Sequence, residues 1–156
     1  MDGHKILVMG DERHLFQTIY WALEYKGYYV RLTPRPEAAL AHLIEQDFDL
    51  MVAKLRMEDL QSLDVLKRAR KLNPEVRIMV VSADCNVIIP LEAFQIEVDD
   101  YLLLPINPNK LISRVSQCLE KVAAVKAAKA PRGTGVRKKQ ELFSRIMITP
   151  VMLGVA

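Results

Sequence analysis

Few side chains in this sequence could do chemistry together. Asp11 and Glu12 are adjacent carboxylates, Lys54 is a cation that follows one apolar run, and Ser82 is a hydroxyl that ends another. Adjacent carboxylates serve to gather a cation, and the nearest one on offer is the chain's own lysine. Two readings therefore stand ahead of metal binding: polar residues ending a strand, with Asp11 bonding a neighbouring backbone amide, and an ion pair of Lys54 with these acids. A buried amine with a lowered pKa would make Lys54 reactive, but two acids beside it favour its charged form. Ser82 reads as a strand-end hydroxyl satisfied by the backbone. His4, His14 and His42 have no metal-ligand spacing, and His14 is expected on the solvent face of a helix. Cys85 and Cys118 match neither a zinc site nor a disulfide framework and are expected as reduced thiols. The sequence has no Gly-rich phosphate loop, no Gly-x-Ser-x-Gly elbow and no Cys-x-x-Cys. Neither metal, nor cofactor, nor enzymatic activity is expected from these residues.

The surrounding pattern explains how these groups could meet. Lys5 to Met9 is a short apolar run that delivers Gly10-Asp11-Glu12 at its carboxyl end, as a buried parallel strand does. From Arg13 to Lys26, Leu15, Phe16, Ile19, Tyr20 and Leu23 recur at helical steps, and Gly27 closes the helix. Tyr28 to Leu32 reads as a second strand. Pro36 opens a helix with the stripe Ala39, Leu40, Leu43 and Ile44, and Phe48 to Ala53 reads as a third strand. A helix over Leu60 to Leu72 stops at Asn73-Pro74 before a β-branched strand from Val76 to Val81. A fourth helix is expected to begin near Ile89 with Pro90 in its first turn, followed by a strand from Asp100 to Leu103. Leu111, Val115, Cys118, Leu119 and Val122 mark a last helix that can extend to Lys129. Five strand-then-helix repeats specify an α/β doubly wound, five-stranded parallel sheet, flavodoxin-like in its three layers. Its functional cleft lies beyond the carboxyl ends of the strands, where Gly10, Asp11, Glu12, Lys54, Ser82, Leu104 and Pro105 would gather.

The chain is 156 residues with 51% hydrophobic and 26% charged side chains, enough for one globular domain and an appendage. The net charge of +3 divides unevenly: residues 1–120 carry 14 basic and 18 acidic side chains (net −4), and residues 121–156 carry 8 basic and 1 acidic (net +7). Residues 1–122 are assigned to the domain and 123–156 to a basic helix extension, a linker and a short amphipathic tail. Pro131, Gly133 and Gly135 mark the linker; Arg137-Lys138-Lys139 then precede Leu142, Phe143, Ile146 and Met147. The apolar cluster beside the basic run favours protein docking over nucleic-acid binding, because a purely electrostatic tail would not need it. The sequence shows no secretory signal pattern and no apolar run long enough for a membrane span, so a cytoplasmic location is expected.

The segments Ile6-Leu7-Val8-Met9-Gly10-Asp11-Glu12, Phe48 to Lys54, Val80-Val81-Ser82-Ala83 and Asp99 to Pro105 together resemble the receiver domain of bacterial two-component response regulators, the CheY-like family. The resemblance implies phosphoryl transfer from a histidine kinase to an Asp ending strand three, a magnesium held by acids after strand one, and a Ser or Thr and a Lys binding the phosphoryl oxygens. By position, Asp11 and Glu12 correspond to family acids, Ser82 retains the hydroxyl, and Tyr101 corresponds to the switch aromatic. Pro105 corresponds to a proline whose preceding peptide is often cis. Three positions depart: Lys54 stands at the phosphoacceptor, Gly10 at the first acid and Leu104 at the strand-five lysine. A lysine cannot form an acyl phosphate, and leucine has no donor for phosphoryl oxygens.

The resulting expectation is a pseudo-receiver, a signalling protein of a phosphorelay that is not phosphorylated on Asp and acts by protein–protein interaction. The family's interaction face lies on helix four, strand five and helix five, where Ile88, Ile89, Leu91, Phe94 and Tyr101 are the candidate contacts. A protein partner in a bacterial pathway, or a homodimer through that face, is expected; nucleic acid is not. The alternatives are a small flavodoxin-like nucleotide-binding protein or enzyme, and a nucleic-acid or membrane-surface binder working through the tail.

Overall fold

Short apolar runs rich in β-branched residues are buried most completely as parallel strands covered on both faces. In the computed structural model, residues 3–56 and 59–129 are described, with side chains as far as residue 120. The strands β1 (Lys5–Met9), β2 (Tyr29–Thr33), β3 (Leu50–Lys54), β4 (Arg77–Ser82) and β5 (Asp100–Leu103) form one parallel sheet in the order β2-β1-β3-β4-β5. The helices α1 (Arg13–Tyr25), α2 (Pro36–Glu45), α3 (Leu60–Leu72), α4 (Ile88–Ala93) and α5 (Pro108–Lys129) alternate with them. This is the expected α/β fold.

The two-residue period of a strand divides the core into two layers. Leu7, Met9, Met51 and Val80 face one cluster with Leu43, Leu66 and Leu91 from α2, α3 and α4. Ile6, Val8, Val52 and Val81 face the other with Phe16, Ile19, Leu23 and Val115 from α1 and α5. Strand order reverses between β1 and β3, so their carboxyl ends, followed by Gly10 and including Lys54, flank the crevice where doubly wound folds place their sites.

Local chemistry sets the boundaries. Asp59 caps α3 by accepting a hydrogen bond from the Ser62 amide at 3.2 Å, a contact of a kind that contributes about 1 kcal/mol. Gly27 follows α1 with φ 93°, a conformation that favours glycine. The third strand begins at Leu50, two residues later than its apolar run, and extends to Lys54 instead of ending at Ala53. Asp49 is held outside the strand, its carboxylate accepting the Lys5 amide at 2.9 Å. The second and fourth strands are likewise displaced by one residue. A 3₁₀ turn, Cys85–Val87, capped by Asp84 precedes α4, which begins at Ile88 with Pro90 in its first turn.

Candidate functional site

Pairing of β3 with β4 sets Lys54 opposite Val81, one residue before Ser82. The Lys54 side chain is 19% exposed, and its Nζ lies 3.2 Å from Glu12 Oε1. Glu12 occupies the N-cap position of α1, yet its side chain makes no capping bond there. Its carboxylate turns to Lys54 and joins the β1–α1 connection to the end of β3. Asp11 is exposed, and the lysine's ion pair forms with Glu12. Ser82 is buried: its Oγ donates to the Leu55 carbonyl at 2.7 Å and accepts the Asp84 amide at 3.1 Å. The expectation of a backbone-satisfied hydroxyl agrees with this geometry. Leu104 donates its amide to the Ser82 carbonyl at 3.0 Å, and the Leu104–Pro105 peptide is cis.

Gly10 is more than the loss of an acid. A Cβ built at Gly10 would stand 1.9 Å from Cζ and 2.3 Å from Cε2 of Phe16. The buried Phe16 ring thus fills the space that a side chain at position 10 would enter. Sequence periodicity places Phe16 in the core stripe of α1 but says nothing about which strand-end residue the ring reaches. The donor set left at the cleft is poor for a divalent cation: position 10 has no side-chain oxygen, and Glu12 is engaged by Lys54. Among the described residues, no group of three His, Cys, Asp or Glu side chains is placed to hold a metal. The residues present do not fit the magnesium that the resemblance implies.

Asp49 lies at the far end of β3, where its carboxylate is committed to the Lys5 amide and lies 3.5 Å from His4 Nδ1. It does not reach the cleft. Asp59 is the α3 cap, and His14 is exposed as expected.

The second candidate surface is only partly as expected. Ile88 is 38% and Ile89 58% exposed, and Phe94 and Tyr101 are half-buried against the core. Leu91, assigned to this face from sequence, is fully buried instead. It lies three residues beyond Ile88 on a helix so short that the core-facing side is met by Val87 and Leu91 together. Leu103, not singled out from sequence, is 57% exposed at the end of edge strand β5. Beside it is a depression of about 200 Å³ lined by Leu102, Pro105, Ile106, Asn107 and Lys110, among others. Burial and the negative charge of Glu92 raise the Tyr101 pKa above the ordinary value of 10.0. The tail residues Leu142, Phe143, Ile146 and Met147 lie outside the described residues.

The strand order, the switch-point crevice and the two helical layers define a CheY-like architecture. The structure superimposes on a CheY-like response regulator receiver domain protein from Methanospirillum hungatei JF-1 with a TM-score of 0.73 at 21% identity, covering 80% of this chain and all of that one. A response regulator from Thermotoga maritima gives a TM-score of 0.69 at 24% identity, covering 76% of this chain and 99% of that one. Residues 6–116 match the response regulator receiver domain, and the chain belongs to that family. Alginate biosynthesis transcriptional regulatory protein AlgB of Pseudomonas aeruginosa is 34% identical over 116 residues, which are 74% of this chain and 26% of that protein. The response regulator SaeR of Staphylococcus aureus is 24% identical over 117 residues, 75% of this chain and 51% of that protein. This chain therefore spans a quarter to a half of the length of these relatives. Among the described residues, no helix is long and apolar enough to cross a membrane.

Proposed function

We propose that this receiver domain has given up phosphoryl transfer and acts as a pseudo-receiver through protein contact. The observation that carries the reading is the 3.2 Å ion pair of Lys54 with Glu12. It puts an ammonium at the position where the family resemblance expects the acceptor carboxylate. It also supplies the positive charge that a carboxylate cleft otherwise draws from a dication. An amine at that position cannot give an acyl phosphate, and Leu104 offers no donor to a phosphoryl oxygen. Ser82 has both its bonds within the protein.

With the cleft closed to this chemistry, the surface left for signalling is the face of α4 and β5. Ile88, Ile89 and Leu103 are exposed there, with Phe94 and Tyr101 at their flank. Exposed apolar side chains grouped on one face favour a protein partner. NtrC of Azospirillum brasilense, a DNA-binding transcriptional regulator, is a relative of which this chain spans 25%.

The test is incubation of the intact protein with acetyl phosphate and magnesium, followed by mass spectrometry, and with beryllofluoride and magnesium, followed by intrinsic fluorescence. Unchanged mass and unchanged emission are expected. A covalent phosphoryl adduct, or a magnesium-dependent response to beryllofluoride, overturns the reading.

A further inference from the structure

The charge division of the chain acquires a place once the fold is known. From Ala83 to Asn109 the sequence contains Asp84, Glu92, Glu97, Asp99 and Asp100 and no Lys, Arg or His. Two of these acids are neutralised within the fold. Asp99 accepts from Arg77 at 3.1 Å and lies 3.5 Å from Arg70, and Asp100 accepts from Arg114 Nε at 2.6 Å. Glu92 and Glu97 remain exposed at α4 and the turn after it. Glu92 and Glu97 thus put two exposed carboxylates beside the exposed Ile88, Ile89 and Leu103, with Arg70, which donates to the Glu97 carbonyl at 2.9 Å, and Lys110 as the neighbouring cations. The tail is its complement: Arg137-Lys138-Lys139 and Arg145 alternate with Leu142, Phe143, Ile146 and Met147.

We infer that segment 137–148 docks in cis on the α4 and β5 face, with its basic residues toward Glu92 and Glu97 and its apolar residues on Ile88, Ile89 and Leu103. The inference rests on the proposed role of that face and names its first occupant. Seven residues, 130–136, lie between the end of α5 and the basic run. Helix α5 packs against β4 and β5, and among its described side chains Leu111, Val115, Cys118 and Leu119 are in the buried core. The helix then continues to Lys129, about 15 Å further at 1.5 Å per residue. Between Lys129 and Arg137, residues 130–136 contain Pro131, Gly133 and Gly135 and can span about 23 Å when extended. A tail held this way makes the partner surface available only on displacement, since a linked segment competes at a high effective concentration. Among the described residues, Trp21 and Tyr25 on α1 make a competing exposed apolar surface, and Trp21 is the only tryptophan in the chain.

The test uses the full chain and amide hydrogen exchange over residues 86–104. Leu142→Glu with Phe143→Glu is expected to accelerate exchange there several-fold, and 0.5 M salt should do so in the parent protein, since an ionic contact weakens with screening. Glu92→Lys with Glu97→Lys should accelerate it equally, and adding Arg137→Glu, Lys138→Glu and Lys139→Glu to that variant should restore protection. Exchange unaffected by the tail substitutions overturns the inference and leaves the face to a separate partner. Protection that disappears on dilution assigns it to a second copy and also overturns docking in cis. A tail-dependent change in Trp21 emission without one in α4 overturns the site in favour of α1. The acetyl phosphate result is independent of all these outcomes, so failure of the tail contact and failure of the pseudo-receiver reading are distinguishable.

Discussion

Gly10→Ala adds one methyl group, and the structure gives the consequence a size. The new Cβ would lie 1.9 Å from Phe16 Cζ and 2.3 Å from Cε2, whereas carbon atoms in contact sit about 3.5–4.0 Å apart. The ring would have to withdraw by more than an ångström. It is buried in the α1 layer of the core with Ile6, Val8 and Ile19, so these neighbours must yield with it. Overpacking of this kind costs about 1–3 kcal/mol. Phe16→Ala alone should cost about 3–5 kcal/mol through lost burial and the cavity it leaves. In the double variant the Cβ enters that cavity, so the steric part of the Gly10→Ala penalty should vanish while the backbone part set by φ 158° remains, and the cycle should show a coupling of about 1–2 kcal/mol. Urea unfolding of the four proteins, with slopes compared to exclude a changed denatured state, measures it. Additivity within about 0.5 kcal/mol would refute the idea that Phe16 excludes a side chain at position 10. The same geometry predicts that Lys54→Asp alone does not regain magnesium binding, and that Gly10→Asp and Phe16→Ala are needed beside it. Calorimetric titration with magnesium distinguishes these variants.

Ser82→Ala removes the buried hydroxyl that bridges the Leu55 carbonyl and the Asp84 amide. Urea unfolding should show a loss of about 1–2 kcal/mol, and a neutral result would mean that water replaces both bonds. Asp99→Ala leaves the half-buried Arg70 and Arg77 without their shared carboxylate and the Ile78 amide without its acceptor. A loss of about 2–4 kcal/mol is expected. Tyr101 should ionise above pH 10.0, because burial and Glu92 both oppose the phenolate. Its folded pKa is raised, so its contribution to stability is complete below the unfolded value and is lost as pH rises through the folded one. Ultraviolet titration against Tyr101→Phe isolates this phenol, and Glu92→Gln should lower its pKa; ionisation below pH 10 contradicts the burial seen here.

The five-strand alternation was legible because parallel strands covered on both faces demand continuous apolar runs, and the chain supplies them at Lys5 to Met9, Phe48 to Ala53 and Val76 to Val81. Polar residues at the carboxyl ends of those runs marked the crevice for the same reason. What sequence could not convey was the direction of individual side chains. Glu12 and Asp11 are equivalent as letters, yet the ion pair with Lys54 forms at Glu12. Leu91 and Ile88 are both apolar residues of one short helix, and only three-dimensional packing decides that Leu91 is buried while Ile88 is exposed. Phe16 was legible as core, but its contact with Gly10 depends on the approach angle of α1 to β1, which no periodicity encodes.

The Lys54–Glu12 pair also bears on how such a domain can be regulated. A phosphoryl group and its cation arrive and leave, so a cleft built for them alternates between two sets of contacts. A side-chain ion pair does not turn over in that way. It joins the β1–α1 connection to β3 within the covalent chain, and at 19% and 51% exposure of the two side chains its net contribution is about 0–1 kcal/mol. An interaction of that size does not hold the fold together, and its presence need not be explained by stability. Its consequence is electrostatic: it removes the unbalanced carboxylate charge that would otherwise draw in a dication. On the proposed reading, a change of state in this domain therefore has to come from occupancy of its surface, and the tail contact supplies one occupant whose affinity depends on salt and sequence but not on a kinase. Lys54→Met separates these roles. It should leave the unfolding midpoint nearly unchanged and leave protection of residues 86–104 intact; loss of that protection would show that the cleft and the α4 and β5 face are still coupled.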